Sequence, residues 1–191
     1  MWKSAEQLRK PCRSTACLLL EHIMSSYVPR TTTPSNTDPN FINYAYGGNN
    51  RCIAIDSSGY VLPNCTGYCW GRWLELGVTN CQLSTGNATN WYGHTSDGYT
   101  RSSQPALGAV ACWSGGSGGE GHVAIVEGIS STGITVTESA YNSYTFRTNT
   151  YPVSMAKTGY TFQGFILIPL SFDDLIIVKR NRRTKVRIIG G

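Results

Sequence analysis

The sequence predicts an α+β domain in which N-terminal helices pack on an antiparallel β-sheet. One observation is a helix-compatible, aromatic-rich stretch from Cys65 to Leu76, closed by Gly77. A second is the change of texture after Pro105, where short β-branched runs alternate with Gly/Ser turns. A third is composition: Gly 21, Tyr 11 and Trp 5 with only 14% charge imply many turns and an aromatic surface, not a helical bundle. Helices first and strands after is the α+β order. A chain of 191 residues, 40% hydrophobic, is long enough for one substantial core.

Taken in order, residues 1–26 read as one or two short helices divided by Pro11. Met24 offers a second beginning, so residues 1–26 are expected to be an extension, residues 27–170 the functional domain and residues 171–191 a basic tail. Pro29 to Asn40, rich in Thr, Pro, Ser and Asn, reads as a linker or extended arm. Phe41 to Leu62 is loop-rich, with turns at Gly47-Gly48-Asn49-Asn50 and Ser57-Ser58-Gly59. Pro63-Asn64 then turns the chain into the main helix, with Asn64 as cap and Gly77 as the C′ residue. A second short helix is expected over Asn87 to Tyr92, capped by Asn87 or Ser84. Strands are expected at Leu107–Trp113, His122–Ile129, Gly133–Glu138, Ser143–Thr150 and Thr161–Ile168.

Composition excludes several classes. The net charge of +5 is concentrated at the end, where Lys179, Arg180, Arg182, Arg183, Lys185 and Arg187 supply six of 16 basic residues. The rest of the chain is close to neutral, so this is not a basic nucleic-acid-binding domain. The tail, Leu175 to Ile189, reads as a basic hairpin, either simply solvated or attached to an anionic polymer; it lacks the interleaved aromatics of a single-strand platform. No apolar run approaches the ~20 residues of a membrane span. Ala16 to Leu20 is too short for a signal-peptide core. Seven cysteines, an odd number without framework spacing, are expected to be reduced. Cys65 and Cys69 share a helical face, but no second pair accompanies them and the three histidines are scattered, so no metal is expected.

The chemistry-bearing residues form an ordered set. Cys65, in a first helical turn, is placed where unsatisfied N–H groups and the helix dipole favour a thiolate. His22 lies in the extension and His94 in a polar loop. His122 opens GHVAIVEGI, whose alternation puts His122, Ala124 and Val126 on one face. In GITVTES the same rule aligns Ile134, Val136 and Glu138, so Glu138 continues an apolar face where a lone carboxylate would be costly. A hydrogen bond to the His122 ring would resolve that cost and set the tautomer. Glu120, in a Gly-rich turn, and Glu127, on the opposite face, are weaker candidates.

A cysteine at a helix start, a histidine at a strand start and a carboxylate ending the next strand resemble the papain-like cysteine hydrolases. NCTGYCWGRW around Cys65, STGNATNWYGH from Ser84, PALGAVACW from Pro105, GHVAIVEGI, TESAYNS and TFQGFILIP together resemble a CHAP domain, the cysteine- and histidine-dependent amidohydrolase/peptidase family, as found in bacteriophage endolysins. The resemblance covers roughly Tyr27 to Leu170.

It implies hydrolysis of a peptidoglycan amide in the stem peptide, the cross-bridge or the muramoyl–alanine link. Cys65 would be the nucleophile, His122 the base and Glu138 the orienting residue, with Asn64 and the Cys65 N–H at the oxyanion. Trp91, Tyr92, Trp113 and Tyr141 are candidate groove residues, with core packing expected of at least two of them; Cys69 is expected in the core, with a rival nucleophile as the alternative. No cofactor is implied. The partner would be bacterial peptidoglycan, with an anionic wall polymer as a possible ligand of the tail. The protein would be made in the host cytoplasm and then act on the wall. A virion-associated module of a larger protein and a catalytically silent wall-binding protein are the alternatives. Two positions depart from the family pattern: Ala140 stands where many members have Asn, with Asn142 as a stand-in, and Ala109 replaces the usual Asp. Asp56 stands alone, without the Asp-x-Asp of calcium-binding relatives.

Overall fold

The computed structural model describes residues 27–35, 37–42, 64–141 and 143–169, plus the backbone of four two-residue strands between 42 and 64. The N-terminal extension, the basic tail, Asp56 and Asn142 lie outside the described residues.

The fold is α+β, as expected: helices α1 (Pro39–Ile42) and α2 (Cys65–Glu75) precede an antiparallel sheet. Between them run two short pairs, β1 (Ala45–Tyr46) with β2 (Asn49–Asn50) and β3 (Ala54–Ile55) with β4 (Val61–Leu62). The main sheet comprises β5 (Arg101–Ser102), β6 (Val110–Gly115), β7 (His122–Ile129), β8 (Ile134–Glu138), β9 (Arg147–Tyr151) and β10 (Tyr160–Ile166), in the order β5-β10-β6-β7-β8-β9.

Helix α2 has well-defined ends. Asn64 is extended (φ −157°, ψ 120°), and its side-chain oxygen accepts from Thr66 N and Gly67 N. At the far end Val78 N–H reaches Trp73 O and Gly77 N–H reaches Leu74 O, both at 3.0 Å, a Schellman motif that Gly77 permits at φ 100°. Seven successive residues, Gly67 to Trp73, are buried, because α2 is covered on both sides. The sheet lies on one side, and α1 and the arm lie on the other. A Cβ on Gly71 would run into the Phe41 ring, so glycine here sets how closely α1 approaches.

Alternation along the strands divides the core in two. Val110, Cys112, Val123, Ile125 and Ile166 face α2, packing with Phe41, Tyr68, Trp73 and Trp91. Ala109, Ala111, Trp113, Ala124, Val126, Val136 and Phe165 form a second core on the opposite face.

The arm is fastened to the domain. Glu127, 4% exposed, accepts from Tyr27 Oη (2.7 Å), Arg30 N (3.2 Å), Thr137 Oγ1 (2.8 Å) and Arg72 Nε and Nη2 (3.0 and 3.1 Å). Three elements therefore meet on one buried carboxylate, which makes Glu127 a structural residue.

Two local expectations need correction. The helix expected at Asn87–Tyr92 is a single 3₁₀ turn, Ala88–Asn90, and the Asn87 side chain does not cap it. The strand expected from Ser143 begins at Arg147, because the preceding residues fold into a turn closed by Ser143 N to Ala140 O (3.0 Å) and Ala140 N to Tyr144 O (2.9 Å).

Candidate active site

The start of α2 leaves four backbone N–H groups without intrahelical partners. Asn64 N–H donates to Ser139 Oγ (3.0 Å), and Thr66 N–H and Gly67 N–H donate to Asn64 Oδ1 (3.0 and 3.4 Å). The intrahelical ladder then begins at Tyr68 N to Asn64 O (2.9 Å). Cys65 N–H is the donor of this turn left over by these bonds, at the residue that carries the thiol. Asn64 Oδ1 also takes the Thr66 hydroxyl (2.6 Å), so its carbonyl end is committed to capping.

Residues from three elements converge here. Pairing of β7 with β8 sets Ile125 opposite Thr137. One further step puts Ala124 across from Glu138 and makes His122 its diagonal neighbour on the same face. His122 Nε2 lies 2.6 Å from Glu138 Oε2. The Cys65 thiol is close enough to the imidazole to interact with it and favour its protonated form. With Nε2 spent on Glu138, Nδ1 is left for the thiol.

His122 is 4% exposed and Glu138 fully buried. Burial pulls the imidazole pKa down, but hydrogen bonds and charges from Cys65 and Glu138 carry it above its ordinary 6.5. Burial likewise opposes ionisation of Glu138, yet the His122 hydrogen bond and charge, then Lys157 and Arg147, hold its carboxyl at about 2. Trp113, fully buried, packs beside His122 with ring centroids 5.8 Å apart, and its Nε1 donates to Met155 O (2.8 Å).

The remaining candidates are dispersed. Trp91 and Trp113 are 0% exposed and belong to the two cores, so neither lines a groove. Their sequence neighbourhood gave no sign of this because each indole N–H finds a carbonyl inside the fold, Gly86 O for Trp91. Tyr92 is half-buried against Gly164, where any Cβ would meet its ring. Tyr141 is 69% exposed. Cys69 is fully buried, and burial pushes its thiol pKa well up; the same holds for Cys112. Cys69 therefore stays a protonated core thiol. Among the described residues no group of three or more His, Cys, Asp or Glu is arranged to hold a metal. No helix among them is long and apolar enough to cross a membrane.

Sequence reasoning did not identify Arg147, Tyr151, Lys157 or Ser139 around this site. Ser139 Oγ, besides taking the Asn64 N–H, donates to Tyr144 O (3.0 Å), so it ties the end of β8 to the start of α2. Arg147 is the cross-strand partner of Glu138.

Comparison with known proteins finds several similar ones. A probable autolysin (LDP) of Staphylococcus aureus is 31% identical over 113 residues, 58% of this chain. This chain spans only 39% of that relative's length. Among solved structures, an N-acetylmuramoyl-L-alanine amidase of Staphylococcus aureus is 25% identical over 53% of this chain and 30% of its own, with a TM-score of 0.39. The protein Ly7917, solved with a hydrolysis product, is 22% identical over 56% of this chain and 54% of its own, also at 0.39. The CHAP domain family matches residues 55–142, a span that includes Cys65, His122 and Glu138. Over that span the chain is similar to CHAP domains.

Proposed function

We propose that this protein is a peptidoglycan hydrolase that cleaves an amide bond of the bacterial wall with Cys65 as nucleophile, His122 as base and Glu138 as its orienting partner. The observation that carries the reading is the chain of contacts Cys65–His122–Glu138, with a 2.6 Å bond joining the two buried members. Its support from relatives is the CHAP match and the likeness to a protein named an autolysin.

In this mechanism His122 accepts the thiol proton and Cys65 Sγ bonds to the amide carbonyl carbon. The oxygen gains negative charge facing the Cys65 N–H, the donor at the helix start not used in capping. His122 then passes the proton to the departing amine, and the C–N bond breaks to leave a thioester. A water attacks the thioester, His122 takes one of its protons, and return of that proton to sulfur releases the acid. Glu138 stays ionised throughout and stabilises the imidazolium.

The finer setting, a phage lysin acting on the wall from the host side, belongs to the same proposal. Mass spectrometry of soluble products from purified peptidoglycan tests it, with wild type compared to Cys65→Ala. New amino termini or free stem peptides from wild type alone are expected, and their masses identify the bond. Equal product from the variant removes Cys65 as nucleophile. No product from either, across several wall chemotypes, overturns the hydrolase in favour of a wall-binding protein.

A further inference from the structure

The two oxygens of Glu138 have different partners. Oε2 meets His122 Nε2 at 2.6 Å. Oε1 accepts from Arg147 Nε at 2.7 Å, and Arg147 Nη2 makes an ion pair with it at 2.7 Å. Tyr151 Oη lies 3.3 Å from Oε1 and 3.2 Å from Oε2, and accepts from Lys157 Nζ at 2.8 Å. The last torsion of a glutamate is broad, so a single bond to histidine would leave the carboxylate free to turn. A rigid guanidinium that donates from Nε to Oε1 and holds Nη2 against the same oxygen removes that freedom and aims Oε2 at the ring.

Arg147 is not a core residue. Its side chain is 44% exposed, and the guanidinium lies 4.1 Å from the Tyr144 ring centroid. An arginine this open ordinarily contributes little, yet here its donors reach a carboxylate with no exposure of its own.

We propose that Arg147 is a positioning residue for the reaction, gripping Glu138 so that its other oxygen faces His122, with the Lys157–Tyr151 relay as a second hold. Glu138 is thus faced by His122 from β7, Arg147 and Tyr151 from β9, Tyr144 and Lys157 from the flanking loops, and Cys65 through the imidazole. Two cations share one carboxylate. Removing one leaves more of its charge to hold the imidazolium, so the active protonation state moves to higher pH.

This inference rests on the hydrolase reading, so the test has an arm that needs no wall substrate. The full chain is compared with Arg147→Gln, Arg147→Lys and Tyr151→Phe on solubilised peptidoglycan, and the rate of Cys65 alkylation by iodoacetamide is followed against pH. For Arg147→Gln, kcat is expected to fall about 10-fold with KM within about 2-fold, and both limbs of the kcat/KM profile to rise by about 0.5–1 pH unit. Arg147→Lys restores part of kcat, since lysine returns the charge without the two-nitrogen grip, and Tyr151→Phe gives a smaller loss. The alkylation profile moves with the same sign. Wild-type kcat and unmoved limbs in Arg147→Gln overturn the proposal, as does a lower kcat with unmoved limbs, which marks a structural role. If wild type releases no wall fragments but the alkylation profile still shifts, the hydrolase reading falls while the grip on Glu138 stands.

Discussion

Replacing Glu138 with glutamine keeps the shape of the side chain and removes its charge. Burial alone would raise the pKa of this carboxyl; the His122 hydrogen bond, the charges of His122 and Lys157 and the Arg147 hydrogen bond overcome it and hold the group at about 2, against 4.5 for an ordinary glutamate. At about 1.4 kcal/mol per pKa unit, that difference corresponds to about 3 kcal/mol of folding stability. The sign follows from the direction. A depressed carboxylate contributes fully above its unfolded value, so the term is present at pH 7 and is lost as pH falls from 4.5 through about 2. His122 is shifted the other way: its contribution is complete below 6.5 and fades as pH rises through its higher folded value. Glu138→Gln should therefore lower stability at pH 7 by about 3 kcal/mol, roughly 6–12 °C in Tm for a domain of this size. Urea unfolding from pH 7 down to pH 2 is the assay. The wild-type and variant curves should converge as acid removes the wild-type advantage. A deficit under about 1 kcal/mol at pH 7, or a gap that persists unchanged at pH 2, would refute the assignment of that stability to an ionised Glu138.

Three further outcomes follow from local structure. Asn64→Ala removes the acceptor for Thr66 N–H and Gly67 N–H and should cost about 1 kcal/mol in urea unfolding. Glu127→Gln strips the carboxylate from the buried Arg72 guanidinium and should cost about 3–5 kcal/mol by calorimetry, far more than a typical surface ion pair. Gly121→Ala places a Cβ against the Thr89 backbone and Trp113 O at φ 76°, next to His122, and should lower soluble yield and abolish wall cleavage. Gly119→Ala, at φ 78° with open space around it, should cost only about 1–2 kcal/mol and keep cleavage.

Much of this site is legible in the sequence because its placement rests on local periodicity. Alternation alone put His122 with Ala124 and Val126, and Glu138 with Val136, on the face where the structure packs them. The helix ends were equally local, since Asn64 and Gly77 act within a few residues of themselves. The residues around Glu138 were not legible. Arg147 is its cross-strand partner, but an eight-residue connection is too long for its turn type to set the register from sequence. Glu127 shows the same difficulty: its partners Tyr27 and Arg72 are 100 and 55 positions away, and alternation marked only its face. Trp91 and Trp113 meet the expectation that at least two of the four aromatics are core, but being near a motif in sequence did not say which two.

The order of strands has a consequence for how the protein is made. β10 is the last strand of the main sheet to be synthesised, yet it lies between β5 and β6 and pairs with both. Cys65, His122 and Glu138 have all been translated before it. A ribosome stall or protease cut ahead of Tyr160 therefore leaves these three residues on an unfinished sheet. It yields a sheet with an interior strand missing, whose unpaired β6 edge invites aggregation and clearance. The residues of the candidate site are thus complete in the chain before the sheet that carries them can close.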